Sequence, residues 1–148
     1  MNAMESRLPV ETLSRLLRLD VETGRLFWLR RDFDLFPKGP FQSRDFKNWN
    51  ARCAEKQAFL TRSSGRYFHG SIFGEKLLAH RVVFALFHGH WPVGTVDHIN
   101  GDSFDNRPAN LRDVPHIDNC RNWPLSKASS TGVTGVSRTR NRGQYEAY

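Results

Sequence analysis

The sequence predicts an α+β protein, and three observations carry that expectation. Amphipathic stripes at helical spacing occur twice, around residues 10–17 and 78–86. Short aromatic and aliphatic runs bounded by Gly, Ser, Asn and Pro lie between and after them, as strands do. At 148 residues, with 39% hydrophobic and 25% charged side chains, the composition is that of a globular chain with a core of useful size.

Residues 8–19, LPVETLSRLLRL, are expected to form the first helix. Pro9 stands at its opening, and Val10, Leu13, Leu16 and Leu17 make one stripe. DVETG then turns, with Gly24 supplying a positive φ, and RLFWLRR reads as a strand. Residues 32–57 are expected to be irregular: Phe33, Phe36, Phe41, Phe46 and Trp49 are scattered among charges and around Pro37 and Pro40. Such aromatics pin a long loop to a core; interleaved with Arg44, Lys47 and Arg52 they also suit stacking on bases. AFLT and RYFHGSIF read as a hairpin turning at Ser63-Ser64-Gly65 and ending at Gly74. LLAHRVVFALFHG reads as a helix closed by Gly89. Its apolar face is Leu78, Ala79, Val82, Val83, Ala85 and Leu86, which puts His80, Arg81, Phe84 and His88 on the opposite side.

Charge narrows the function. There are 22 Lys and Arg against 15 Asp and Glu, a formal net charge of +7, and 17 of the 22 are Arg. No acid occurs between Glu75 and Asp97 or between Asp118 and Glu146. A polyanionic partner, most simply nucleic acid, is the leading inference, since the guanidinium fork suits phosphate. No apolar run approaches the roughly 20 residues of a membrane span. MNAMESRLPVE lacks the apolar stretch of a secretory leader. Cys53 and Cys120 are too few for a zinc knot or a disulfide scaffold and read as reduced thiols, so a cytoplasmic protein is expected.

The segment richest in chemistry is 93–122, VGTVDHINGDSFDNRPANLRDVPHIDNCRN. It reads as a strand at Val96-Asp97-His98-Ile99, a loop dense in Asn, Asp and Gly, a return strand at Leu111–Val114, and a short helix over 115–122. Asp113 lies near the start of that helix, where it can cap. Asp97, His98, Asn110 and Asn119 fall within it, with steps of 12 and 21 residues from His98. Each has an ordinary structural role by itself, as a surface hydrogen bond, a turn former or a polar helical residue.

In this order and spacing they resemble the HNH endonucleases, in the His-Asn-Asn form of phage and homing enzymes. The carrying residues are Asp97-His98, Asn110 in DNRPANL and Asn119. HRVVFALFHGHWP and the pair Asn119 and Asn122 are also similar to that family, and WNARCAEKQ is so more weakly, departing at Cys53-Ala54-Glu55. The resemblance implies a ββα-metal core with His98 as general base and Asn110 bracing the loop behind it. Asp97 and Asn119 would hold Mg²⁺ or Mn²⁺, as two protein oxygens suit a cation that keeps several waters. The family's zinc-binding cysteine pairs are absent, so no structural zinc is expected. Adjacent strand residues point to opposite faces. Asp97 and His98 can therefore serve one phosphate only at a twist, a bulge or the strand edge.

Further expectations follow from the same resemblance. Arg81, Arg107, Arg112 and Arg121 are candidates to hold the DNA backbone, and Arg138, Arg140 and Arg142 to trail along the duplex. His80 and Asn122 are candidate neighbours of the site. STGVTGVSRTRNRGQYEAY looks like the start of an AP2-like DNA-binding domain that stops short of its helix, a piece able to fold back or pair with a second copy as a homodimer. The domains expected are 1–71, helix and hairpin with the aromatic-basic loop; 72–124, the nuclease core; and 125–148, a linker and incomplete β segment. The activity expected is metal-dependent cleavage of double-stranded DNA leaving 5′-phosphate and 3′-hydroxyl ends. The alternative is a DNA-binding regulator derived from a homing enzyme that no longer cuts.

Overall fold

A computed structural model describes residues 8–63, 66–115, 136–138 and 145–147. The chain divides into two units, residues 1–114 and residues 115–148.

The first unit mixes short helices with small antiparallel sheets, in keeping with the α+β expectation. Helix α1 (Val10–Leu16) runs straight into β1 (Leu17–Asp20), which pairs with β2 (Arg25–Trp28) from Leu17 opposite Trp28 to Asp20 opposite Arg25. The helix expected over 8–19 therefore ends at Leu16. Leu17 is extended, and the ladder to β2 satisfies its backbone in place of another helical turn. Its side chain is still buried, which is why it falls on the helical stripe when the sequence is read alone.

Residues 32–57 correct the expectation of an irregular segment. A 3-10 turn at Phe33–Leu35 leads to a twelve-residue helix, α2 (Gln42–Cys53). Phe46, Trp49, Asn50 and Cys53 follow one another at helical spacing and turn away from solvent, while Arg44, Lys47, Asn48 and Arg52 lie outside. Phe46 meets Phe33 and Phe36 at 5.5 and 5.8 Å, and Trp49 meets Trp28 edge-on at 5.6 Å. The pattern is hard to hear in the sequence because the inner face is aromatic and polar rather than aliphatic.

Strands β3 (Thr61–Ser63), β4 (Tyr67–Ile72) and β5 (Glu75–Leu78) form a three-stranded sheet in chain order. Gly74, at φ +84°, turns β4 into β5, so the expected hairpin gains a third strand there. Helix α3 (Ala79–His88) starts directly after β5 and ends at Gly89, whose φ of 75° takes the left-handed cap. Strands β6 (Thr95–His98) and β7 (Leu111–Val114) close the unit as a hairpin, with a 3-10 turn at Pro108–Asn110 just before β7.

One core joins these elements. Leu13, Leu16, Ile72, Val82 and Val83 are fully buried, alongside Leu26, Phe59, Leu77, Val96 and Leu111. Side chains from both sides of residue 71 share it. Full burial of an aliphatic side chain contributes about 1.5–3 kcal/mol, so α3, which supplies Val82 and Val83, is the principal anchor for everything around it. His80 and Phe84 are buried as well. The part of the α3 face expected to be outside that carries His80 and Phe84 is thus covered, because the β6–β7 hairpin and β4 pack on the helix, while His88 stays exposed as expected.

In the second unit β8 (Val136–Arg138) pairs antiparallel with β9 (Tyr145–Ala147). The expected helix over 115–122 and the linker at 126–136 lie almost wholly outside the described residues. Among the described residues no helix is long and apolar enough to cross a membrane.

Candidate active site on the β6–β7 hairpin

The hairpin ladder is regular, with Thr95 opposite Val114, Val96 opposite Asp113, Asp97 opposite Arg112 and His98 opposite Leu111. Cross-strand partners share a face and neighbours along a strand do not. His98 therefore lies with Val96 and Leu111 on the inner, buried face, and Asp97 with Arg112 on the outer one. No bulge brings Asp97 and His98 to a common side. His98 is the last paired residue of β6, at the loop end of the hairpin, where the edge is closest.

Buried rings and one amide hold His98. Its imidazole stands edge-to-face with His80 at 5.2 Å and stacked with Tyr67 at 6.2 Å, and Tyr67 and His80 touch at 5.0 Å. Its Nε2 lies 3.0 Å from Oδ1 of Asn106. An amide oxygen only accepts, so Nε2–H donates to it, and the neutral ring carries its basic lone pair on Nδ1.

Asn110 braces the loop. Its Oδ1 accepts from the Asn100 backbone N–H at 3.0 Å, and its amide nitrogen donates to Asn100 Oδ1 at 3.0 Å and to the Asp105 carbonyl at 2.8 Å. One side chain thus ties both arms of the loop together, just behind His98. Asp105 accepts from Arg107 at 2.8 and 2.6 Å and from the Asn100 amide. The Arg107 hydrogen bonds are the main reason its carboxyl is held down at about 2.

The start of β6 is clamped from two sides. Arg81 on α3 donates to the Gly94 and Pro92 carbonyls at 2.8 and 3.2 Å. Asp113 on β7 accepts from the Val93 and Gly94 N–H groups, each at 2.8 Å. Asp113 therefore holds the 93–94 turn; the helix that it is expected to cap lies outside the described residues. Gly94 has no room for a side chain: a Cβ there would sit 2.3 Å from the Val114 carbonyl oxygen.

Asp97 is met by a cation. Arg112 donates from Nε at 2.9 Å and from a terminal nitrogen at 2.6 Å, both to Oδ2. The pair is partly exposed. The donor chemistry fits a hard divalent ion, since Asp97 offers an anionic oxygen and Mg²⁺ needs only one or two carboxylates beside its waters. Among the described residues no group of three or more His, Cys, Asp or Glu forms a metal cluster. Asn119, Arg121, Asn122, Arg140 and Arg142 lie outside the described residues, and Arg138 is described only as backbone in β8.

Asn106 does not stand out in the sequence, being one of several polar residues in a loop dense in Asn, Asp and Gly. It also lines a cleft of about 370 Å³ with Gly24, Arg25, Gln57, Phe59, Phe68, Phe104 and Arg107. Its signal was its place eight residues after His98, within reach across a loop that must double back to form a hairpin.

His80 is pushed down to about 3, first by burial and then by the nearby His98 and Arg81 charges. It is neutral wherever the protein is folded and working. Unfolded, it titrates near the ordinary 6.5. Between those values the unfolded chain binds the extra proton, so stability falls as pH drops from 6.5 toward 3 and is fully present above 6.5. Near pH 5 this group alone costs about 2 kcal/mol. His80→Phe is expected to flatten the loss in urea unfolding between pH 7 and pH 5; an unchanged slope would remove His80 as its source.

Residues 77–121, under a third of the chain, match the model of a family described as HNH endonuclease. The described part of that segment runs from the end of β5 through α3, β6 and β7. The curated proteins and the solved structures gave no match.

Proposed function

We propose that this chain is a divalent-metal-dependent DNA endonuclease of phage or homing type, hydrolysing phosphodiesters to 5′-phosphate and 3′-hydroxyl ends. The observation that carries the reading is the Asn110-braced hairpin bearing Asp97 and His98, inside the segment similar to HNH endonucleases. His98, with its proton on Nε2 directed to Asn106, takes the proton of the attacking water on Nδ1. Asn110 keeps the loop from shifting that imidazole. Asp97 and Asn119 would hold the cation, which when bound supplies charge neutralisation at the scissile phosphate. The phosphate approaches over the loop end of the hairpin, since only there are both faces in reach. Arg107, Arg112 and Arg121 hold the backbone beside it. Arg81 serves the 92–94 turn, and Arg138, Arg140 and Arg142 add general affinity for the duplex. One such core nicks one strand, and a cut through both needs a second copy or a second visit.

A second reading, a DNA-binding protein that does not cut, is favoured by one observation: Arg112 already neutralises Asp97. Supercoiled plasmid separates the two. With Mg²⁺ the wild type is expected to yield open-circle product, EDTA to stop it, and Asp97→Ala to be inert with DNA binding kept. Binding without any nicking establishes the second reading, and nicking undiminished by EDTA removes the metal.

Arg112 makes a sharper prediction. The guanidinium competes with a cation for Asp97 Oδ2, so Arg112→Met is expected to tighten Mn²⁺ binding about two- to fivefold in calorimetry, the size of a partly exposed ion pair. The same variant should cleave more slowly, having lost a backbone contact. Unaltered or weaker Mn²⁺ affinity would mean that Arg112 does not compete for Asp97.

A further inference from the structure

Helix α2 is held like a built element, and its outer row has no work inside the protein. On its inner side the Asn50 side chain bonds both backbone groups of Arg31, accepting from N–H at 2.9 Å and donating to the carbonyl at 3.0 Å. The Arg31 guanidinium lies 3.8 Å from the centroid of Trp49, and Gln42 donates to the Phe33 and Phe36 carbonyls at 3.2 and 3.0 Å. These contacts fix the helix both along its axis and in rotation.

Arg44, Asn48 and Arg52 stand at i, i+4 and i+8 on the exposed side, one above another, with Lys47 and the small Ala51 beside them. The side chains of Lys47, Asn48 and Arg52 make no hydrogen bond or ion pair among the described residues. Arg44 makes a weak surface pair with Asp45 at 3.2 Å and lies over Phe41, itself exposed. Asp45 is the only acid of the helix. A shallow groove of about 450 Å³ runs along this row, lined by Phe36, Arg44, Asp45, Asn48, Trp49 and Arg52.

We propose that the outer face of α2 is a second surface for double-stranded DNA, set in the major groove apart from the β6–β7 hairpin. The inference rests on the endonuclease reading and adds to it the element that reads the target. An α-helix fits the major groove, where an Arg fork matches the O6 and N7 acceptors of guanine and an Asn amide matches N6 and N7 of adenine. Successive side chains four residues apart advance about 6 Å along the helix, so the row spans several base pairs. Lys47 sits at the rim of the same face, where phosphates run. Ala51 leaves the centre of the face low enough for close approach.

The test compares Arg44→Ala/Arg52→Ala with Arg18→Ala/Lys38→Ala, which removes the same charge from exposed positions outside α2. Fluorescence anisotropy on duplex DNA across a salt series is one readout, and hydrolysis of bis(p-nitrophenyl) phosphate is the other. The α2 pair is expected to bind about tenfold more weakly and to lower the slope of log K against log salt by about two. The control pair should move affinity less than about twofold. Asn48→Ala should relax base preference at one position in a randomised duplex pool while leaving the salt slope intact. Small-diester hydrolysis should be the same in wild type and all three variants, since none touches the hairpin.

Equal losses from both pairs, or no loss from the α2 pair, would overturn the surface. Wild-type protein that binds DNA through α2 but leaves the small diester intact would overturn the nuclease reading instead and keep the surface. Absence of any DNA binding by the wild type would end both.

Discussion

His98→Ala is expected to lower plasmid cleavage by about 10²–10⁴-fold, the range for loss of a positioned general base, while duplex binding holds. The imidazole lies in a stack with His80 and Tyr67, so its removal also leaves a cavity. His98→Gln keeps most of the volume and an amide that can still meet Asn106, and it should be as inactive as the alanine variant with a melting curve close to wild type. Asn106→Ala complements the pair. It leaves the imidazole in place but removes the acceptor that selects the Nε2–H tautomer, so cleavage should fall by a smaller factor and its pH profile should shift. Wild-type cleavage by His98→Gln would exclude the imidazole as the base.

The second large effect is structural. Gly24, at φ +67°, closes the β1–β2 turn against the backbone of the loop that carries Asn106. A Cβ there would lie 2.3 Å from the Asn106 carbonyl carbon and 2.4 Å from the Arg107 nitrogen, neither of which can swing aside as a side chain does. Gly24→Ala is expected to cost about 2–4 kcal/mol, backbone strain and overpacking together, and to slow cleavage by moving the Asn106 partner of His98. Gly74→Ala is the control. Gly74 has the same kind of positive φ, +84°, but nothing within 4 Å of its added Cβ, so it should lose only about 1–2 kcal/mol. Equal thermal shifts for the two variants would show that the contact with the loop carries no weight.

These two cases show which parts of the site are legible in a linear reading. Asp97, His98 and Asn110 stand out through their order and spacing, and the hairpin that carries them follows from turn residues between two short apolar runs. The brace by Asn110 is local, closing on Asn100 and Asp105 within ten residues. The separation of Asp97 and His98 to opposite faces was legible as well, being a property of any regular strand. The helical Asn119 and the tail beyond it lie outside the described residues.

Other features depended on distant partners. α1 and the strand after it divide at Leu16 because β2 pairs with Leu17, while the apolar stripe runs on across the boundary. α2 forms where charge and aromatics looked unordered, since its inner face is defined by Phe33, Phe36, Trp28 and Arg31 from elsewhere in the chain. Helical period puts His80 on an outer face, and the β6–β7 hairpin packs over it. Arg81, read as a phosphate ligand, donates to the 92–94 turn. What the sequence determined by itself is therefore whatever short-range rules govern: side-chain period, turn chemistry, charge balance and the identity of the reactive groups. The tertiary structure alone decided which face each group shows, which arginine neutralises which carboxylate and which amide orients the imidazole. Those depend on contacts between residues far apart in the chain, and no local period encodes them.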